Sequence, residues 1–229
     1  MLFRQLFDQE SSTFTYLIAE PFQRLAILVD PVLEQVNRDL KLLQELNLTL
    51  HSCLETHVHC DHVTGAARLR AVTDCQVIVP AGAEVFGADR FIEDGEMIIL
   101  GNTWLEAMAT PGHTDSHMAY QVESDRVLTG DALFIRGCGR TDFQGGNPGV
   151  LYDSVTQRLF TLPEEVLVYP GHDYGGQTTS TIGEEKRANP RFVGYEREKF
   201  ITLMNGLGLA KPKKILEALP ANTFCGIAA

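Results

Sequence analysis

His57, Val58, His59, Cys60, Asp61 and His62 place three imidazoles and one carboxylate within six consecutive positions. In an extended stretch alternate side chains point the same way, so His57 and His59 can converge on one ion. Asp61 and His62 follow at a turn and can face a second ion or support the first. Spaced His and Asp clusters are the signature of a metal site. Three more candidates lie far along the chain: His113 in Thr110-Pro111-Gly112-His113-Thr114, Asp131 in Thr129-Gly130-Asp131, and His172 in Tyr169-Pro170-Gly171-His172-Asp173. Each sits at a glycine-containing turn after an apolar run. Singly, a histidine or a Gly-Asp pair is commonly just part of a turn. Together, these segments hold five of the chain's seven histidines. The remaining two, His51 and His117, read as structural.

Five imidazoles and two carboxylates suit borderline divalent ions in two arrangements. In one, His57, His59 and His113 bind a first ion and Asp61, His62 and His172 a second, with Asp131 bridging. Such a pair lowers the pKa of bound water toward ~7 and serves hydrolysis. In the other, His57, His113 and Asp131 form a two-histidine, one-carboxylate facial triad with open positions on a non-haem ferrous ion. His59, Asp61, His62 and His172 then orient the ligands or line a vacant second position. The residue types leave both arrangements open, beside a third reading as a non-catalytic metal-binding or redox-sensing protein.

The surrounding pattern alternates strand-like and helix-like stretches. Strands are expected over Thr13 to Ala19, Arg24 to Val29 and Leu48 to Glu55, the last ending at the histidine loop. Asp30 is expected to cap a helix running from Val32 to Leu46, with Pro31 in its first turn. A short helix from Val63 follows the histidine loop, with Asp61 at its N-terminus favoured by the helix dipole. Further strands are expected at Gln76 to Val79, Glu96 to Leu100, Trp104 to Met108, His117 to Val122, Arg126 to Leu128 and Val166 to Tyr169. Helices are expected over Val150 to Phe160, Ser180 to Ala188, Tyr195 to Met204 and from Pro212 onward. About ten strands interleaved with helices imply two sheets covered by helices.

The 229 residues, 44% apolar and 21% charged, are enough for one substantial core. A formal charge of −11 argues against nucleic acid and anionic membrane surfaces as partners. Five cysteines (Cys53, Cys60, Cys75, Cys138, Cys225) show no metal-type pair spacing. Asp8 interrupts the N-terminal apolar residues before a signal-peptide core forms, and no apolar run reaches ~20 residues. A cytoplasmic protein with reduced thiols is the expectation.

The run Thr56-His57-Val58-His59-Cys60-Asp61-His62, with His113, Asp131 and His172 in that order, resembles the metallo-β-lactamase superfamily. The resemblance implies an α/β fold of four layers, the αββα sandwich, with two mixed β-sheets flanked by helices. It makes residues 1–229 a single domain with a short helical C-terminal extension from about 180. Within the superfamily, Gly137-Cys138-Gly139-Arg140-Thr141-Asp142-Phe143-Gln144 and the closing Pro220-Ala221-Asn222-Thr223-Phe224-Cys225-Gly226 resemble the persulfide dioxygenases. Glyoxalase II enzymes share the Gly-Cys-Gly core but continue differently and carry a longer helical C-terminal domain.

That resemblance implies oxidation of glutathione persulfide by dioxygen and water to sulfite and glutathione at one Fe(II) per chain. The metal ligands are then His57, His113 and Asp131, and the chain is a homodimer. A glyoxalase II-like dinuclear thioester hydrolase is the alternative. Arg140, after a glycine-rich turn, either binds a substrate carboxylate or pairs with Asp142. Tyr174 either contacts substrate or packs as an aromatic. Lys213 and Lys214, beside Lys211, either meet a glutathione carboxylate or lie in solvent. Cys225 matches a family thiol near the site, and Cys60 reads as filler.

Overall fold

Antiparallel pairing of hydrophobic N-terminal segments begins the fold. The structure, a computed structural model, describes residues 1–227. The chain forms two compact units, one made of Met1–Ile92, Ile98–Trp104 and the stretch from Lys211, the other of Glu93–Met97 and Leu105–Ala210.

The first unit is organised on a six-stranded mixed sheet in sequential order: β1 (Leu2–Asp8), β2 (Thr13–Glu20), β3 (Leu25–Val29), β4 (Thr49–Leu54), β5 (Gln76–Pro80) and β6 (Arg90–Ile92). β1 to β3 pair antiparallel and β3 to β6 parallel. Every residue of β2 is buried, as expected for an interior strand covered on both faces. Alternate residues Leu17, Ala19, Ala26, Leu28, Cys53, Val77 and Val79 pack with Val36 and Leu43 of α1 (Val36–Glu45) and Ala66 and Leu69 of α2 (Ala66–Thr73). The period of two on the strands and of about 3.6 on the helices produces one shared apolar face.

A second six-stranded sheet contains β7 (Met97–Leu100), β8 (Thr103–Ala109), β9 (Met118–Val122), β10 (Arg126–Gly130), β11 (Leu167–Pro170) and β12 (Ser180–Thr181), in the order β12-β11-β10-β9-β8-β7. Of the pairings β8–β9, β9–β10, β10–β11 and β11–β12, only β10–β11 is parallel. The core of the second unit joins Ala119, Val127 and Val168 to Leu151 and Val155 of α3 (Pro148–Gln157), Ile182 of α4 (Ile182–Ala188) and Phe200 of α5 (Arg197–Asn205). The last helix, α6 (Ile215–Asn222), returns to the first unit, where Ala218 and Ala221 pack on Val63.

The two mixed sheets flanked by helices match the expected fold class. Three local expectations are corrected. Asp30 caps no helix: Leu33–Gln35 is a 3-10 turn with Val32 at its N-cap, and α1 begins only at Val36. Asp61 is not at a helix N-terminus, because α2 starts at Ala66 behind Gly65. The segment from Ser180 opens with the strand β12 before α4. Strands β1 and β6 were not anticipated. β1 is an edge strand of half-buried residues, and β6 has only three. Among the described residues no helix is long and apolar enough to cross a membrane.

Phe200 is fully buried, its ring 5.0 Å from Phe192 and 5.4 Å from Tyr152. Phe200→Ala is expected to lower the unfolding free energy by about 3–5 kcal/mol, read from urea denaturation.

Candidate metal centre

The parallel pairing of β3 and β4 brings the ends of two strands together, and Asp30 and Thr56 emerge there. Asp30 takes a left-handed conformation (φ 51°) immediately after β3. Its carboxylate accepts the Thr56 backbone N–H at 2.7 Å and the Thr56 hydroxyl at 2.8 Å. That hydroxyl has one proton, and Asp30 takes it. Thr56 Oγ1 therefore accepts from His57 Nδ1 at 2.9 Å. The consequence is a fixed tautomer: His57 carries its proton on Nδ1 and presents the Nε2 lone pair.

The same logic sets the other rings of the loop. His59 Nε2 lies 3.0 Å from Asp30 Oδ1 and 3.3 Å from Glu55 Oε2, so it is the protonated nitrogen. Burial alone would lower the His59 pKa, but the two carboxylates outweigh it and hold it well above the usual value. Burial raises that of Glu55 despite its bonds to His59 and Thr64. His62 Nδ1 faces Asp61 Oδ2 at 2.9 Å, and its Nε2 is buried without a hydrogen-bond partner. Donor atoms of His59, Asp61 and His62 lie within 4.8 Å of one another. The ring centroids of His57 and His59 are 4.1 Å apart, and those of His59 and His62 are 4.3 Å apart.

Asn222, at the end of α6, clamps the loop from below. Its Nδ2 donates to the His59 carbonyl at 2.9 Å and the His62 carbonyl at 2.8 Å, and its Oδ1 accepts the Thr64 N–H at 2.9 Å.

In the second unit, His113 follows β8 at a turn that needs glycine. Gly112 has φ 130°, and a Cβ there would fall 2.2 Å from the Leu151 nitrogen. His113 Nδ1 donates to the Arg140 carbonyl at 2.7 Å, since a carbonyl can only accept. In the neutral ring Nε2 then carries the lone pair, and it lies 3.4 Å from Asp131 Oδ2. Gly139 permits this approach: a Cβ would lie 2.3 Å from the Asp131 carbonyl and 2.8 Å from His113 Nδ1. Asp131 follows β10. Its backbone N–H donates to His117 Nε2 at 3.0 Å, and His117 Nδ1 in turn donates to Thr110 Oγ1 at 2.9 Å. His172 Nε2 lies 3.5 Å from Asp131 Oδ1, an oxygen that is buried without a hydrogen bond. Neutral imidazoles with fixed Nε2 lone pairs and a carboxylate with an unused oxygen fit a divalent first-row cation.

The family model described as Metallo-beta-lactamase superfamily matches residues 9–172. The chain belongs to the metallo-beta-lactamase superfamily. Among its relatives, the human protein named persulfide dioxygenase ETHE1, mitochondrial, is 46% identical over 99% of this chain and 89% of its own length. The crystal structure of ETHE1 from Myxococcus xanthus superposes with a TM-score of 0.96 at 53% identity, covering 99% of this chain and 100% of that one. A hydroxyacylglutathione hydrolase of Polaromonas sp. is 36% identical over 70% of this chain and 62% of its own length.

Other expected site residues have definite surroundings. The Arg140 guanidinium grips Asp142 through two bonds of 2.6 and 2.8 Å, donates to the Ala210 carbonyl at 2.6 Å, and lies 4.5 Å over Phe143. The bond from Arg140 holds the Asp142 carboxyl below its usual range. Lys214 pairs with Glu34 at 2.7 Å and Glu10 at 2.9 Å, while Lys213 is exposed. Tyr174 is 73% exposed, yet its ring stacks on His172 with centroids 5.5 Å apart. Cys225 is buried and contacts the Phe86 carbonyl at 3.6 Å. With His57, His59, Glu55 and Val79 it lines one small cavity of the first unit. Cys60 is buried and His51 is exposed on β4.

Sequence reasoning missed Asp30, Glu55, Thr56 and Asn222 as supports of the loop. Asp30 at a strand end was the one readable signal. His117 was read as structural, and it holds Asp131.

Asn222→Ala strands two buried carbonyls and one N–H. It is expected to lower metal-free stability by about 2–4 kcal/mol in urea titrations and to weaken metal retention against a chelator.

Proposed function

We propose that the chain is a persulfide dioxygenase, oxidising glutathione persulfide with dioxygen and water to sulfite and glutathione. The observation that carries this reading is the 46% identity, spread over 99% of the chain, to the human enzyme of that name. We assign His57, His113 and Asp131 as ligands of one Fe(II) per chain. A ferrous ion with two neutral imidazoles and one carboxylate supplies open positions and the electron transfer that dioxygen requires.

An orienting partner accompanies each assigned ligand. Thr56 and the Arg140 carbonyl fix the proton on Nδ1 of His57 and His113, leaving each Nε2 to bind. His117 anchors the backbone of Asp131. The ligand side chains are buried, which keeps bulk water from the reacting sulfur. His59, Asp61, His62 and His172 act as supporting groups. Tyr174, exposed and stacked on His172, is the side chain best presented to a substrate. For Arg140 and Lys214 a substrate carboxylate must compete with Asp142, or with Glu34 and Glu10. Lys213 is exposed to solvent.

A second reading is a dinuclear thioester hydrolase. It is favoured by the proximity of His59, Asp61 and His62 donors and by the unused His62 Nε2. The hydroxyacylglutathione hydrolase relative points the same way. We further propose a cytoplasmic, single-domain homodimer that binds neither nucleic acid nor membrane, in keeping with the −11 charge and five free thiols. The human relative's name places that protein in mitochondria.

Metal analysis of anaerobically purified protein, with oxygen uptake on glutathione persulfide, decides between the readings. One iron per chain and persulfide-dependent uptake are expected. Two zinc ions and hydrolysis of a glutathione thioester without uptake would overturn the proposal. Asp131→Ala is expected to abolish iron retention. Arg140→Ala is expected to keep iron while raising KM for the persulfide, and unchanged kinetics would remove Arg140 from the substrate contacts.

A further inference from the structure

Cys53 on β4 and Cys75, the residue before β5, bring their sulfur atoms to 3.8 Å inside the first unit. Both are free thiols, Cys53 with no exposed surface and Cys75 with 3%. The metal chemistry described above uses neither. We propose that Cys53 and Cys75 form a redox-active dithiol that hydrogen peroxide converts to an intrachain disulfide.

The two sulfurs are not equivalent. Cys75 follows Asp74, which takes a left-handed turn at the end of α2, and it lies outside the strand ladder. Cys53 is pinned within the ladder, paired in register with Val77. A disulfide needs the sulfurs at ~2.05 Å, so they must close by roughly 2 Å. Side-chain rotation and a shift of the coil residue Cys75 supply this movement without breaking β4. The hydrogen bond between the thiols, with help from Thr73 and Arg70, draws the Cys75 pKa down to about 7 and pushes that of Cys53 well up. Cys75 is thus the sulfur with thiolate character at neutral pH, and Cys53 is the thiol that resolves.

The chemistry balances. The Cys75 thiolate attacks one peroxide oxygen, the O–O bond breaks, and a sulfenic acid forms as the released hydroxide takes a proton to become water. The Cys53 sulfur then attacks the sulfenic sulfur, the S–O bond breaks, and the departing hydroxide leaves as water with the Cys53 proton. Two thiols and one peroxide give one disulfide and two waters. The bridge would span residues 53 to 75, tying together the two ends of the segment that carries the histidine loop and α2.

The test exposes the purified full-length chain to hydrogen peroxide, then denatures it, alkylates it and maps its peptides by mass spectrometry. Expected is the loss of two of the five alkylatable thiols, a linked Cys53–Cys75 peptide pair lighter by two hydrogens, and full recovery with dithiothreitol. In Cys53→Ala, Cys75 is expected to accumulate as a sulfenic acid trapped by dimedone. Five thiols surviving the exposure would overturn the proposal. So would loss confined to Cys60, Cys138 or Cys225.

Discussion

One carboxylate, that of Asp30, organises the loop on which the candidate centre rests. It is buried, and a buried carboxylate needs hydrogen-bond partners to offset its lost hydration. Thr56 provides a backbone N–H and a hydroxyl, and His59 provides a ring nitrogen. Because Thr56 spends its only proton on Asp30, it can only accept from His57, and the tautomer of that ring follows. The parallel register of β3 and β4 is what brings the two strand ends within reach. A substitution at Asp30 would therefore act on His57 and His59 together, although it offers no ligand in the proposed triad.

The second unit reaches the same end by different means. A main-chain carbonyl, not a side chain, fixes His113, and a second histidine anchors Asp131 through its backbone. Glycines make room where backbone and side chain crowd, at Gly112 and Gly139. Each proposed ligand thus has an orienting partner, as a precise metal site requires. The supports outnumber the ligands, and most are ordinary residues with no chemistry of their own.

This explains what could be read in the sequence. The candidate ligand types announce themselves, because His and Asp at strand ends have few other reasons to cluster. The strands from β2 to β5 and most helices follow from apolar periodicity. Edge strand β1 carries a mixed pattern, since only part of each side chain is covered, and β6 is too short for a period to register. Asp30 was misread because an Asp-Pro pair fits a helix cap by local rules, and a tertiary hydrogen bond to Thr56 overrode them. Nothing local marks Asn222. Its role exists only once residues 59 to 64 lie beside it. The same is true of Arg140, whose carbonyl proves as consequential as its charge.

Asn222 bonds to residues 158 to 163 positions earlier in the chain. Those contacts are among the longest-range in the molecule, and their loop-closure entropy is met late in folding. During synthesis the histidine segment is made early but cannot be clamped by Asn222 until α6 has been made. The loop therefore passes through a period in which its imidazoles are present but unfastened.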